Sequence, residues 1–263
     1  MEGRKKDTIV YRYDPRRRYF LVSLHLENKP GAIGNLANVL GIRGINILEG
    51  FFGAIDSGQK GTMSFFLEST NPKMDEGWLN DFLSSLVYVT DVEVKSATEG
   101  WLSDTLNFPV TWNTGDRAVL MRVEALRGMI EAVKAANPET GASAIYDQGY
   151  AYGRTAWDGL LGVHRPSTKE GLAEMLQIFT ATGWAKVEME ALDLNHMKAR
   201  VGMSDGFECM ERSTGRSEGH FIAGVLAGAF AAYFGTEVRA EETKCLSKGD
   251  SHCVFEIAPA DGT

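Results

Sequence analysis

The stretch Glu242-Thr243-Lys244-Cys245-Leu246-Ser247-Lys248-Gly249-Asp250-Ser251-His252-Cys253-Val254-Phe255 sets two cysteines on either side of a Gly-Asp turn. The chain has three cysteines, and the third, Cys209, lies in Gly206-Phe207-Glu208-Cys209. Thiols this sparse and this clustered point to a shared role. A three-residue loop at 248–250 predicts a hairpin with Cys245 opposite Cys253, their Cβ atoms about 5 Å apart. Such a pair suits two thiolates on one metal or, with less room, a disulfide. Structural zinc takes four ligands from Cys, His, Asp or Glu, and Cys209, Cys245, Cys253 and Glu242 would complete that set. A disulfide would leave one odd thiol, and three reduced core cysteines are the plain alternative. Glu242 and Cys245 are three apart and would face opposite sides of a regular strand. A shared site therefore requires a bulge or bend at 242–244.

Size and charge bound the rest. The 263 residues are enough for two domains, and the hydrophobic fraction of 44% with 24% charged residues is that of a globular protein. The net charge of −8 argues against a general nucleic-acid binder. The most apolar run, residues 221–234, is too short to cross a bilayer and reads as a buried helix. Residues 1–6 lack the apolar run of a signal peptide, so a reducing, cytoplasmic setting is expected. Arg4, Lys5, Lys6, Arg12, Arg16, Arg17 and Arg18 read as a solvated basic tail over 1–18.

Residues 19–26, Tyr-Phe-Leu-Val-Ser-Leu-His-Leu, read as a buried strand. Ile33, Leu36, Ala37 and Leu40 follow at helical spacing. Gly44-Ile45-Asn46-Ile47 closes that helix and opens a strand to about 55. A turn at 56–61 leads to a third strand at 62–68. Trp78, Phe82 and Leu86 mark a second helix, and 87–94 a fourth strand. The order βαββαβ predicts a ferredoxin-like sandwich over 19–98. The motif Asn28-Lys29-Pro30-Gly31-Ala32-Ile33-Gly34-Asn35-Leu36 with Gly44-Ile45-Asn46-Ile47 resembles an ACT domain, a regulatory module of amino-acid metabolism. That resemblance implies amino-acid binding at Asn28, Pro30, Gly31, Ala32, Ile33 and Asn46, or use of the module for homodimerisation. Pro30 would fix the loop entry, Gly31 would admit a ligand close to the backbone, and the first helical amides would face a carboxylate. Asn28 stands where many members carry Asp.

Residues 99–118 read as a linker. From Arg117 a helical pattern runs through Leu120, Val123, Leu126, Met129, Ile130 and Val133. A second helix is expected at 142–161, with Gly149, Gly153 and Gly159 as close-packing positions. Leu172, Met175, Leu176 and Phe179 give a third. Strands at 184–192 and 197–203, a helix at 219–234 and the cysteine hairpin complete a mixed α/β unit with an antiparallel sheet, over 119–263. Tyr146-x2-Gly149-Tyr150-x2-Gly153, Gly206-Phe207-Glu208-Cys209, Gly219-His220-Phe221-x2-Gly224 and Glu242-x2-Cys245-x3-Gly249-Asp250-x2-Cys253-x-Phe255 together make this unit similar to a V4R (4-vinyl reductase) domain. The resemblance implies a small-molecule sensor with structural zinc held by Cys209, Glu242, Cys245 and Cys253. It also implies an apolar or aromatic ligand, with Tyr146, Tyr150, Trp157, Phe179, Trp184, Met189, Met203 and Phe221 as lining candidates.

No catalytic pattern stands beside these. His25, His164, His196, His220 and His252 show no metal spacing, and neither a G-x-S-x-G nor a phosphate-binding loop occurs. The expected function is a non-enzymatic, two-module ligand sensor that passes its signal to a separate protein. Two other readings are a tetrapyrrole-related, vinyl-reductase-like protein and a dimeric adaptor. The first would need a hydride donor, and no dinucleotide fingerprint is present.

Overall fold

The short strand Tyr11–Tyr13 (β1) precedes Tyr19–Glu27 (β2), in which Tyr19, Phe20, Leu21 and Val22 are buried in succession. A strand buried on both faces needs cover on both sides of its sheet. The computed structural model describes residues 10–55, 60–112 and 115–260. Contacts divide the chain into two units, Met1–Val110 and Thr111–Thr263.

In the first unit β2 leads to Ala32–Ile42 (α1), Ile45–Ile55 (β3), Lys60–Ser69 (β4), Glu76–Ser84 (α2) and Val89–Ser96 (β5). The sheet order is β3-β4-β2-β5 with every neighbour antiparallel, which is the ferredoxin-like arrangement. Leu36, Leu40, Leu79 and Leu83 bury one face against Phe20, Val22, Leu24, Phe65 and Leu67. On the other face Tyr19, Leu21 and Phe66 pack with Leu102, which sits on Trp101–Ser103 (β6). β6 pairs with β1, so part of the expected linker and part of the expected tail form a two-stranded ribbon.

Several expectations change here. The α2 core stripe is Leu79 and Leu83; Trp78 is exposed and stacks on Phe82 at 5.4 Å, with the Arg43 guanidinium 4.0 Å over the Phe82 ring. Leu86 lies beyond the helix. On α1, Ile33 and Ala37 face solvent, and Ala32 joins Leu36 and Leu40 inside. The basic residues from Arg12 onward are not a solvated tail. Arg12 pairs with Glu49, Arg16 with Asp14 and Arg17 with Glu68, and Arg18 donates to the carbonyls of Asn71 at 3.1 Å and Met74 at 2.6 Å. Arg4, Lys5 and Lys6 lie outside the described residues, as do 56–59 of the expected turn.

The second unit runs Val123–Ala136 (α3), Gly141–Val163 (α4), Lys169–Leu176 (α5), Ile178–Ala181 (α6), Lys186–Asp193 (β7), Lys198–Ser204 (β8), His220–Phe234 (α7), Val238–Lys244 (β9) and Cys253–Pro259 (β10). Its antiparallel sheet has the order β7-β8-β10-β9. The helix expected from Arg117 starts at Val123, because Arg117 forms an isolated antiparallel bridge with Thr111 and Arg122 is extended at ψ 145°. The expected loop at 248–250 is longer. Cys245 to His252 connect the strands through a 3-10 turn at Leu246–Lys248, with Gly249 left-handed at φ 102°.

α7 is apolar all round, and every residue from Ile222 to Tyr233 is buried, between α4 and the sheet. No described helix is long and apolar enough to cross a membrane. An added Cβ at Gly149 or Gly153 would collide with the carbonyl oxygens of Phe221 or Val225. At Gly224 or Gly228 it would collide with those of Tyr146 or Tyr150. The register rises on both helices together, so α4 and α7 run parallel, backbone against backbone. Gly159, expected as a third close-packing position, has open space where its Cβ would go.

Overpacking a tight contact costs about 1–3 kcal/mol, whereas an exposed helical Gly→Ala gains up to about 1 kcal/mol. Gly153→Ala should therefore lower the thermal midpoint of the full chain, and Gly159→Ala should hold or raise it. Circular dichroism melting curves check the pair, and equal midpoints would contradict the close contact.

Candidate functional site

Three segments converge at the start of α7. Residues 206–210 form a turn, with the amides of Cys209 and Met210 donating to the Gly206 carbonyl at 3.0 and 2.9 Å. Arg127 clamps that turn through the carbonyls of Phe207 and Met210. The β9–β10 connection brings in Cys245 and Cys253. Asp250 Oδ2 accepts the Cys245 amide at 2.8 Å, which closes the loop. The Leu246 amide donates to Cys253 Sγ at 3.4 Å. The Ser247 hydroxyl, wholly buried, reaches the Cys209 carbonyl at 3.4 Å.

Glu242 supplies the fourth group. Phe255 pairs with Glu242 while Val254 pairs with Lys244, so Thr243 is an extra residue. This bulge is the bend that a shared site requires, and it turns Glu242 and Cys245 to one side. Cys209 Sγ lies 3.5 Å from Cys245 Sγ and 3.7 Å from Glu242 Oε1. The donor atoms of Cys209, Glu242, Cys245 and Cys253 all lie within 4.8 Å of one another. A tetrahedral site with metal–sulfur bonds of about 2.3 Å has ligand edges of about 3.8 Å, so the cluster could hold a metal ion. The three thiols are free, with no disulfide between them. A hydrogen bond with Cys253, together with burial, raises the Cys209 thiol, and burial with the nearby Glu242 raises Cys245. A divalent cation would reverse both shifts by stabilising thiolates.

Carboxylates tie this cluster to α7. Glu242 Oε2 accepts the Gly219 amide at 3.1 Å. Glu208, buried at 2% exposure, accepts the amides of Phe221 at 3.1 Å and Ile222 at 2.7 Å. Helix N-terminal amides favour negative charge. Burial nevertheless pushes Glu208 up to about 7 against those bonds. Burial also lowers the half-buried His220.

A cavity of about 410 Å³ lies beside α4 and α6, walled by Tyr152, Trp157, Ile178, Phe179, Trp184 and Val225, with Trp112, Asp116 and Arg117 also lining it. Tyr152 stacks on Trp184 at 5.4 Å, and Phe179 meets Trp184 edge-on at 5.9 Å. Of the expected lining residues, Trp157, Phe179 and Trp184 are in this wall. Tyr146 and Tyr150 instead line a separate, more open groove of about 540 Å³ with His220 and Arg239. Met189 and Met203 fill the core, and Phe221 backs the wall through Trp184 and Tyr152. Tyr152 and Trp112 escape the sequence reading. Tyr152 shares a helical face with Ala156, Gly159 and Leu160, and that spacing is its only signal.

In the first unit the 28–33 loop is exposed apart from Ala32, and Gly31 is left-handed at φ 89°. Asn46, the second residue of β3, lies at the far end of α1, roughly 16 Å of helix away, so the structure does not bring it to the loop.

The family comparison bears on the cysteine cluster. Residues 200–259 match the V4R domain. That stretch runs from β8 to β10 and contains all four donors of the cysteine cluster. No curated protein matches the chain. Among solved structures it is similar to the phenol-responsive sensory domain of the transcription activator PoxR with phenol. The identity is 20%, covering 57% of this chain and 80% of that one, with a TM-score of 0.48. A vinyl-4-reductase family protein from Methanocaldococcus jannaschii is 22% identical, covering 55% and 85%, with a TM-score of 0.39. A trafficking protein particle complex subunit 3 from Naegleria fowleri, covalently bound to palmitic acid, is 14% identical, covering 53% and 95%, with a TM-score of 0.42.

Metal-binding energy in such a cluster is folding energy. Cys253→Ser should lower the thermal midpoint of the second unit by about 10 °C or more, and a strong chelator should do the same to the unaltered chain. Unchanged melting in both experiments would contradict a metal at the cluster.

Proposed function

We propose that this chain is a small-molecule-sensing regulatory protein whose second unit binds an apolar, aromatic compound beside a structural zinc ion. The observation that carries the reading is the ring-lined cavity, because Tyr152, Trp157, Phe179 and Trp184 offer faces and edges on which a planar ligand stacks. The V4R match over 200–259 supports it.

Zinc is the metal proposed, since three thiolates and a carboxylate are a soft, tetrahedral set. With four protein donors no position is left for water, so the ion would hold Cys209, β9 and β10 together without performing chemistry. The residues do the binding. Trp184 and Tyr152 orient the ligand by stacking, and Trp157, Ile178 and Phe179 exclude water from it. No catalytic role is proposed. The ferredoxin-like unit is proposed to act as an ACT-type module, taking an amino acid at the 28–33 loop or pairing two copies of the chain. Its exposed loop with left-handed Gly31 supports that role. A separate protein would receive the signal.

A ligand that binds only the native state stabilises it by about 2.7 kcal/mol at a hundredfold excess over Kd, or roughly 5–10 °C for a unit of this size. Thermal shifts with phenol, indole and 2-naphthol test the reading. At least one should raise the midpoint, and Tyr152→Ala should reduce that shift. No shift from any aromatic compound would overturn the cavity's proposed role. A shift from amino acids alone would move ligand binding to the first unit.

A further inference from the structure

Three consecutive residues bind three different parts of the second unit. The Phe207 ring meets Trp184 of the cavity wall edge-on at 5.6 Å, and its amide donates to the Trp184 carbonyl at 2.9 Å. Glu208 takes the amides of Phe221 and Ile222 at the start of α7. The Phe221 ring packs on Trp184 at 5.9 Å and on Tyr152 at 6.2 Å, the two stacked rings of the same wall. Cys209 belongs to the metal cluster. All three residues are buried at 2% exposure. The turn that carries them is closed by its own backbone bonds and clamped by Arg127.

We propose that Glu208 is the positioning residue that couples the metal cluster to the aromatic cavity, so that each ligand binds more tightly when the other is present. The proposal rests on the reading above, in which the cluster holds zinc and the cavity an aromatic compound. A cation drawn in by Cys209 and Glu242 fixes the turn and, through Glu208 and the Gly219 amide, the first turn of α7. Phe207 and Phe221 are then held behind Trp184 and Tyr152 before a ligand arrives. The ordering has already been done, and the second binding event is easier by that amount. Linkage makes the effect reciprocal, and couplings of this kind span about 5- to 150-fold in affinity. Glu208 can act this way because its two hydrogen bonds span 13 and 14 residues, and among the described residues no other side chain bonds to either amide.

Competition for zinc between the full chain and 4-(2-pyridylazo)resorcinol, brought to equilibrium with and without saturating 2-naphthol, tests the coupling. In the unaltered chain 2-naphthol should tighten zinc binding by at least about fivefold. Glu208→Ala should still bind one zinc and should still bind 2-naphthol by calorimetry, but the tightening should fall below about twofold. Glu208→Gln, which keeps the shape and one acceptor oxygen, should fall between the two, and it carries the test if the alanine variant does not fold. Equal zinc affinities with and without 2-naphthol in an unaltered chain that binds both partners would overturn the coupling. Undiminished tightening in both variants would overturn the role of Glu208. A chain that binds no zinc or no 2-naphthol would instead overturn the underlying functional reading, and calorimetry with each partner alone separates that outcome from the other two.

Discussion

Two parallel helices packed backbone to backbone set the position of everything that binds in the second unit. Gly149 and Gly153 of α4 face the Phe221 and Val225 carbonyls of α7, while Gly224 and Gly228 face those of Tyr146 and Tyr150. The approach admits no side chain between the helices, so α7 has one register against α4. α7 is buried on all sides, and its N-terminal amides need acceptors that the core cannot supply. Glu208 and Glu242 supply them. The same two segments bring Cys209 and the β9–β10 loop together, so the cluster stands where the helix contact places it.

One short turn touches both the cluster and the cavity wall. Phe207 faces the rings, Cys209 faces the thiols, and Glu208 holds the helix between them. Burying three thiols and the Glu208 carboxylate beside a half-buried Glu242 is costly unless a cation or hydrogen bonds compensate. The amides of Gly219, Phe221, Ile222 and Leu246 are partial compensation, and a divalent cation would complete it. The bulge at Thr243 has the same origin. It breaks one step of the ladder and lets Glu242 and Cys245 share a side.

Much of this was legible in the chain. The four-donor set stood out because the thiols are few and flank a Gly-Asp turn, and the bulge followed from strand periodicity alone. The βαββαβ order was readable from Pro30-Gly31 and Gly44 between apolar runs. The buried face of α2 was not, because Trp78/Phe82 and Leu79/Leu83 both repeat at four-residue spacing and only tertiary packing chooses between them. The V4R resemblance implies Trp157, Phe179 and Trp184 as lining residues, and these line the cavity, whereas Met189 and Met203 lie in the packed core and Tyr152 stands at the cavity. The cap by Glu208 spans 13 residues and has no local pattern. Nor does the isolated bridge between Thr111 and Arg117 that flanks Trp112.

Cys209, Glu242, Cys245 and Cys253 are proposed to hold a zinc ion, and X-ray absorption at the zinc edge of the purified full chain is the sharpest test of that site. One zinc per chain is expected, with three sulfur neighbours at about 2.3 Å and one oxygen at about 2.0–2.2 Å. A first shell without sulfur would contradict it, as would a chain that binds no zinc with its thiols reduced.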